Sequence, residues 1–214
     1  MFVKNCYVLN LPEFSKVKLD DFEIISFIKQ HQENVSNGNF LFYTSATKIF
    51  KKEFLDLLFD SFGLKFTHVT FFHKQKNGGI HLDSNVFNIT DPQPYWSINW
   101  NIVNSAIYNF WDFHDMNVIE QRIHEHGKLF MSFKTVKEPK EKYIHHDKNP
   151  VLFNATLPHQ VLVPKEQIGQ SRYAIALRTD YPMMPWNNAV TVFDKSIITD
   201  KNIQDMLIDI TTRT

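Results

Sequence analysis

The sequence predicts a mainly β protein with helices packed on one side of its core. Three observations carry this expectation. Apolar stripes at helical spacing occupy the chain up to residue 64, the hydrophobic period changes to two from Lys65, and short alternating segments then follow one another as far as Arg178. The 214 residues include 20 phenylalanines and are 43% hydrophobic, enough to bury a large core within one domain.

The elements can be justified in order. Asp20 and Asp21 precede FEIISFIKQ, where Phe22, Ile25 and Ile28 are expected to share a face and Glu23 sits near the positive helix start. A second helix is expected over ATKIFKKEFLDLLFDSF, with Ile49, Phe50, Phe54, Leu57 and Leu58 as its stripe and Gly63 as its stop. FTHVTFFHK alternates and is rich in β-branched and aromatic residues, so it reads as a strand. Asn77, Gly78 and Gly79 break it, and IHLDS begins the next piece. YWSINWNIV, KLFMSFKTV, NPVLFNATL, HQVLVP and RYAIALR are further strands, KEPKEKYIHHDKNP reads as a polar loop, and DKNIQDMLIDI as a short closing helix. The organisation expected is one domain over 1–214: a helical portion over 1–64, a β core over 65–180 and an extension over 181–214.

Composition narrows the function. Basic and acidic residues balance at 23 each, so nothing favours a nonspecific grip on phosphate backbones, and a small molecule, amino acid or peptide is the expected substrate. Cys6 is the sole cysteine, which excludes an intrachain disulfide. The N-terminal stretch is too polar for a signal peptide and no apolar run approaches membrane-spanning length, so no membrane partner and a cytoplasmic location are expected.

The chemistry concentrates in GGIHLDS, ATLPHQV and SRYAIALR. His81 and Asp83, two apart on a strand, point to one face, and Gly78 and Gly79 let the backbone bend beside them. His159, on a strand distant in sequence, completes two imidazoles and a carboxylate, the set that holds non-haem Fe(II) and leaves positions open. Pro158 keeps Leu157 extended. The plainer alternative is a hydrogen-bonded surface pair beside an ordinary core histidine.

Alternation places Arg172, Ala174, Ala176 and Arg178 on one face of their strand, with Tyr173, Ile175 and Leu177 on the other. Small residues between two arginines leave room for a ligand carboxylate, and a buried guanidinium needs an anion. The alternative is a solvated edge strand. In SINWNIV, Ser97, Asn99 and Asn101 oppose Ile98, Trp100 and Ile102, so Asn99 faces either a cavity or solvent. His145, His146 and Asp147, and likewise His124 and His126, have ligand-like spacing but polar surroundings, and read as solvated loops. His73 reads as an ordinary strand histidine. Trp96, Trp100 and Trp111 read as core before entrance lining.

These residues resemble those of the iron- and 2-oxoglutarate-dependent oxygenases, through FFHKQKNGGIHLDS, INW, FNATLPHQV and RYAIALR over residues 65 to 180. The resemblance implies a double-stranded β-helix, the jelly-roll or cupin-like core. It implies iron on His81, Asp83 and His159, and 2-oxoglutarate on Arg172, with Arg178 assisting as in the nucleic-acid demethylase branch; alternation in SINWNIV, with Asn99 facing the cavity, adds it as a further ligand contact. Dioxygen would be the co-reactant and ascorbate a reductant. The short chain is similar to small phage or bacterial hydroxylases. Because halogenating relatives lack the carboxylate ligand, Asp83 implies hydroxylation. The rivals are a non-catalytic cupin-like binding module and a structural or viral protein with incidental histidines.

Overall fold

Period-two patterning from Phe66 onward builds strands that assemble, with two from the N-terminal region, into two six-stranded antiparallel sheets. The structure, a computed structural model, describes residues 4–11, 21–30, 39–74, 77–83, 94–123, 129–145, 149–180 and 183–198. Its strands are β1 (Cys6–Val8), β2 (Asn39–Ser45), β3 (Phe66–Lys74), β4 (Ile80–Leu82), β5 (Trp96–Val103), β6 (Ala106–Phe110), β7 (Asn117–Ile123), β8 (Leu129–Lys134), β9 (Glu141–His145), β10 (Val151–Asn154), β11 (His159–Leu162) and β12 (Arg172–Thr179). The first sheet runs β1-β10-β5-β12-β3-β2 and the second β7-β8-β4-β11-β6-β9.

The pairing pattern defines the fold. β3 pairs with β12, β4 with β11, β5 with β10 and β6 with β9, outermost to innermost. That is one long antiparallel hairpin rolled so that successive pairs fall alternately in the two sheets, the jelly-roll or double-stranded β-helix. β1 and β2 close the two edges of the first sheet, and the β7–β8 hairpin extends the second beside β4.

Helices α1 (Asp21–Gln30), α2 (Ala46–Ile49), α3 (Lys52–Phe62) and α4 (Trp186–Phe193) complete the described elements above one turn of 3₁₀ helix. The first three pack with α4 on the outer face of the first sheet. Phe27 of α1 lies 5.4 Å from Phe71, Phe50 lies 5.7 Å from Trp100, and Phe193 of α4 lies 6.0 Å from Trp96, ring centre to ring centre. Val69, Ile98, Ile175 and Leu177 fill the remaining contact. Between the sheets, Phe153 of β10 meets Tyr108 and Phe110 of β6 at 5.0 and 5.1 Å. The rest of that inner space is lined by the polar faces of β5 and β12.

Several elements differ from the sequence expectation. The helix foreseen over 46–62 is broken at Phe50 and Lys51, both extended, because Phe50 turns inward onto Trp100 and Phe54. Gly63 does end α3, at a φ of 66° that only glycine adopts without cost. On α1 the buried face is Ile24 and Ile28, one helical turn apart, whereas Phe22 points to the opposite side and is 76% exposed. β9 lies inside the stretch read as a polar loop, with Tyr143 and His145 buried on alternate positions. The N-terminal region supplies β1 and β2 as well as helices, and β6 and β7 were not foreseen. The segment DKNIQDMLIDI lies outside the described residues.

Leu177 is fully buried in the central strand of the first sheet. Leu177→Ala should cost about 2–5 kcal/mol, read as a lowered urea midpoint with an unchanged slope; a change under about 1 kcal/mol would contradict this packing.

Candidate metal centre

β4 and β11 meet through a single registered pair, His81 opposite His159, so the two imidazoles leave neighbouring strands on the same face of the second sheet. Their ring centres lie 4.5 Å apart. Asp83 follows one residue beyond β4, with its Oδ1 3.4 Å from His81 Nε2. One ligand atom from each of His81, Asp83 and His159 falls within 4.8 Å of the others. The three residues named from the sequence are therefore one cluster.

The rings are oriented for a cation. His81 Nδ1 lies 3.0 Å from the Gly79 carbonyl oxygen and His159 Nδ1 lies 2.9 Å from that of Leu157. A carbonyl only accepts, so each Nδ1 donates, and in the neutral ring each Nε2 carries the lone pair. Phe153 stands edge-on to His159 at 5.1 Å and Phe110 lies at 6.2 Å. Burial among such neighbours, helped by the charge of His81, lowers the His159 pKa to about 3, which keeps it an unprotonated ligand at neutral pH. For Asp83, burial works toward protonation, but the His81 hydrogen bond and the charges of His81, His159 and Arg178 outweigh it and hold the carboxyl well below the usual range. Two imidazoles and a carboxylate on one side of a cavity are a ligand set that fits a ferrous ion.

Arg178 completes the acid's surroundings. Its Nη2 donates to Asp83 Oδ2 at 3.1 Å, its Nη1 donates to the Tyr95 hydroxyl, and its guanidinium carbon sits 4.6 Å from the Tyr95 ring centre. Asp83 thus keeps Oδ1 on the histidine side while Oδ2 is held by arginine.

The cavity holds about 440 Å³ of empty space, its open mouth included. Arg172, Ala174 and Arg178 line it from β12, Ser97 and Asn99 from β5, and Phe72 and Lys74 from β3. Arg172 and Arg178 are only 3% and 5% exposed, so β12 is not a solvated edge. Its other face, Tyr173, Ile175 and Leu177, joins the core as the alternation required. Asn99 accepts a 2.7 Å hydrogen bond from Ser97 at the cavity wall. It is Asn101, one pleat further on, that accepts from Arg172 Nη2 at 2.5 Å.

Behind Asn101 stands a group that the sequence reading misplaced. His145, read as part of a solvated loop, is 2% exposed. Its Nε2 donates to the Asn149 carbonyl at 2.7 Å, leaving Nδ1 to accept from Asn101 Nδ2 at 2.8 Å. That bond orients the Asn101 amide with its oxygen toward Arg172. Tyr108, whose phenol is pushed above its ordinary pKa by burial, stands 3.3 Å from the same Nδ1. The β9 pairing with β6, hidden in a Lys- and Glu-rich stretch, brings His145 here. Lys74, Tyr95, Asn101 and Tyr108 were likewise not singled out. His146, Asp147, His124 and His126 lie outside the described residues.

The tryptophans do not line the cavity. Trp96 and Trp100 are buried toward the helices, and Trp111 is buried with its Nε1 donating to the Lys137 carbonyl at 3.1 Å. His73 is a buried strand residue stacked 4.7 Å from Tyr173. Asp112, His114 and Asp115 also gather within ligand distance, but Lys140 and Lys137 already neutralise the two carboxylates.

Comparison with protein-family profiles gave no match, and comparison with curated protein sequences gave none either. Among solved structures, vicilin from Corylus avellana (hazelnut) is similar over 69% of this chain at 10% identity and a TM-score of 0.32. The chain spans 30% of the vicilin chain, and so distant a likeness carries no functional argument. The strand pairing itself defines the class: a jelly-roll protein with a histidine and aspartate cluster in its cavity. No described helix is long and apolar enough to cross a membrane.

Asp83→Ala should weaken binding of Mn(II) or Co(II) by more than the roughly 10–100-fold that an outer partner is worth; calorimetric titration giving unchanged affinity would show that the cluster is not a metal site. The metal-free protein should lose stability as pH falls from 6.5 toward 4. Over that window the unfolded chain protonates His159 while the folded chain, with its value near 3, does not. Melting in chelator across this range should show the slope flatten in His159→Gln; an identical slope in the variant would refute the assignment.

Proposed function

We propose that this protein is an Fe(II)- and 2-oxoglutarate-dependent dioxygenase that hydroxylates a small molecule, an amino acid or a peptide. The observation that carries the reading is Arg172. Its guanidinium is buried, lacks a carboxylate partner among the described residues, and lies on the wall of the cavity that holds His81, Asp83 and His159. Arg172 Nε has no hydrogen-bond partner there either. Leaving a buried charge without a counter-ion costs several kcal/mol, so the anion is expected from solution. An oxo acid with a carboxylate at each end meets both demands, offering one end to a metal and the other to Arg172.

When bound, ferrous iron with 2-oxoglutarate and dioxygen supplies the oxidising chemistry. His81, Asp83 and His159 would hold the ion from one side and leave the other side open to the acid and dioxygen. Arg172, aimed by Asn101, would orient the acid, and Ala174 leaves it room. Phe72, Phe153 and Val161 exclude water from the wall. Because Asp83 fills the carboxylate position, no place is left for a halide, which favours hydroxylation.

The test is anaerobic binding of 2-oxoglutarate to the metal-loaded protein, then succinate formation in air with Fe(II) and ascorbate over a panel of amino acids, peptides and small metabolites. Arg172→Met should weaken 2-oxoglutarate binding about 10–100-fold, the worth of a charge-assisted pair, with metal affinity retained. A protein that binds metal but neither binds nor turns over 2-oxoglutarate would instead be a non-catalytic cupin-like module.

A further inference from the structure

Lys74 ends β3, directly opposite Arg172 in the β3–β12 register. Cβ atoms of such cross-strand partners lie about 5 Å apart, and both side chains enter the cavity. Among the described residues Lys74 makes no hydrogen bond and no ion pair. Its ammonium rests against the Gly78 backbone, where an added Cβ would come within 3.1 Å of Nζ. A side chain at Gly78 would crowd the ammonium by only a few tenths of an ångström, so the contact places the lysine tip beside the turn. Asp83, the acid in this cavity, is already shared between His81 and Arg178.

Two cations side by side repel each other, and the burial of Arg172 and half-burial of Lys74 weaken the water screening between them. The strain is visible in Lys74, whose pKa burial and then the Arg172 charge push down to about 8, with Asp83 drawing it partly back. At neutral pH it still carries its proton. A cavity lined by buried Arg172, half-buried Lys74 and a metal-ligand cluster is arranged around an anion that meets both cations.

We propose that Lys74 and Arg172 together form a two-cation cradle for the distal carboxylate of the bound oxo acid. Arg172 contributes a directional fork and Lys74 a compact point charge. The cradle makes the far carboxylate a condition of tight binding, so acids with an uncharged far end are rejected. This inference rests on the reading that the cavity takes 2-oxoglutarate, and its test separates the two.

Calorimetric titration of the full-length, Mn(II)-loaded protein would compare 2-oxoglutarate with 2-oxopentanoate, which has a methyl in place of the far carboxylate. Lys74→Met should weaken 2-oxoglutarate by about tenfold or more, the scale of one charged hydrogen bond. Binding of 2-oxopentanoate and of Mn(II) should not change. On the unmodified protein, labelling of Lys74 by trinitrobenzenesulfonate, read by mass spectrometry, should be blocked by 2-oxoglutarate and by glutarate but not by 2-oxopentanoate. Equal 2-oxoglutarate affinity in wild type and Lys74→Met, or an equal loss for both acids, overturns the cradle and leaves the oxygenase reading standing. If the wild type ignores 2-oxoglutarate while glutarate shields Lys74, the oxygenase reading fails and the cradle stands as an anion site. Labelling that no dicarboxylate alters overturns the cradle.

Discussion

The antiparallel register of β4 against β11 sets His81 across from His159, and the rest of the cavity is built around that pair. A slip of β4 by one residue would send His81 to the opposite face of the second sheet from His159, since strand side chains alternate. The register is held from both flanks. β11 pairs with β6 over four residues, and β4 pairs with β8 over three, so the short β4 cannot drift on its own. Backbone carbonyls two residues before each histidine then fix the ring orientation, which a strand end allows because those carbonyls are not all committed to the ladder.

Charge is the second organising constraint. Three cations, Arg172, Arg178 and Lys74, enter a cavity whose described carboxylate is Asp83 alone. Arg178 and Asp83 satisfy each other, which both keeps the carboxylate ionised and turns one of its oxygens away from the histidines. Arg172 is held by neutral groups, through a chain from Asn149 to His145 to Asn101. Neutral partners aim the guanidinium without cancelling its charge, and the stability given up by burying it is the usual cost of a functional site. The aromatic packing of the first sheet against its helices supplies the rigid wall that makes this arrangement sustainable.

Much of the site could be read from the residues because strand alternation is strict. The faces of RYAIALR and SINWNIV were assigned correctly from period two, and burial of one face against phenylalanine-rich helices determined which side was inward. Residues that were missed share another property: their position depends on which strand lies beside them. Lys74 closes a strand and looks like an exposed terminal lysine until β12 places Arg172 opposite. His145 sits in EKYIH, whose lysine and glutamate disguise a strand that buries only Tyr143 and His145. Phe22 misled in the other direction, because a three-residue spacing fits more than one helix face and only packing in the folded core selects Ile24 and Ile28.

Local sequence by itself determined the strand-rich core, the division of the arginine strand into two faces and the identity of the three clustered side chains, since these follow from residue type and periodicity. The nesting of strand pairs, the sharing of Asp83 with Arg178, and the company that Lys74 and His145 keep were decided only in three dimensions. Hydrogen bonding between strands is nonspecific in sequence, so which strands become neighbours is settled by how the whole hairpin rolls to bury its aromatic face.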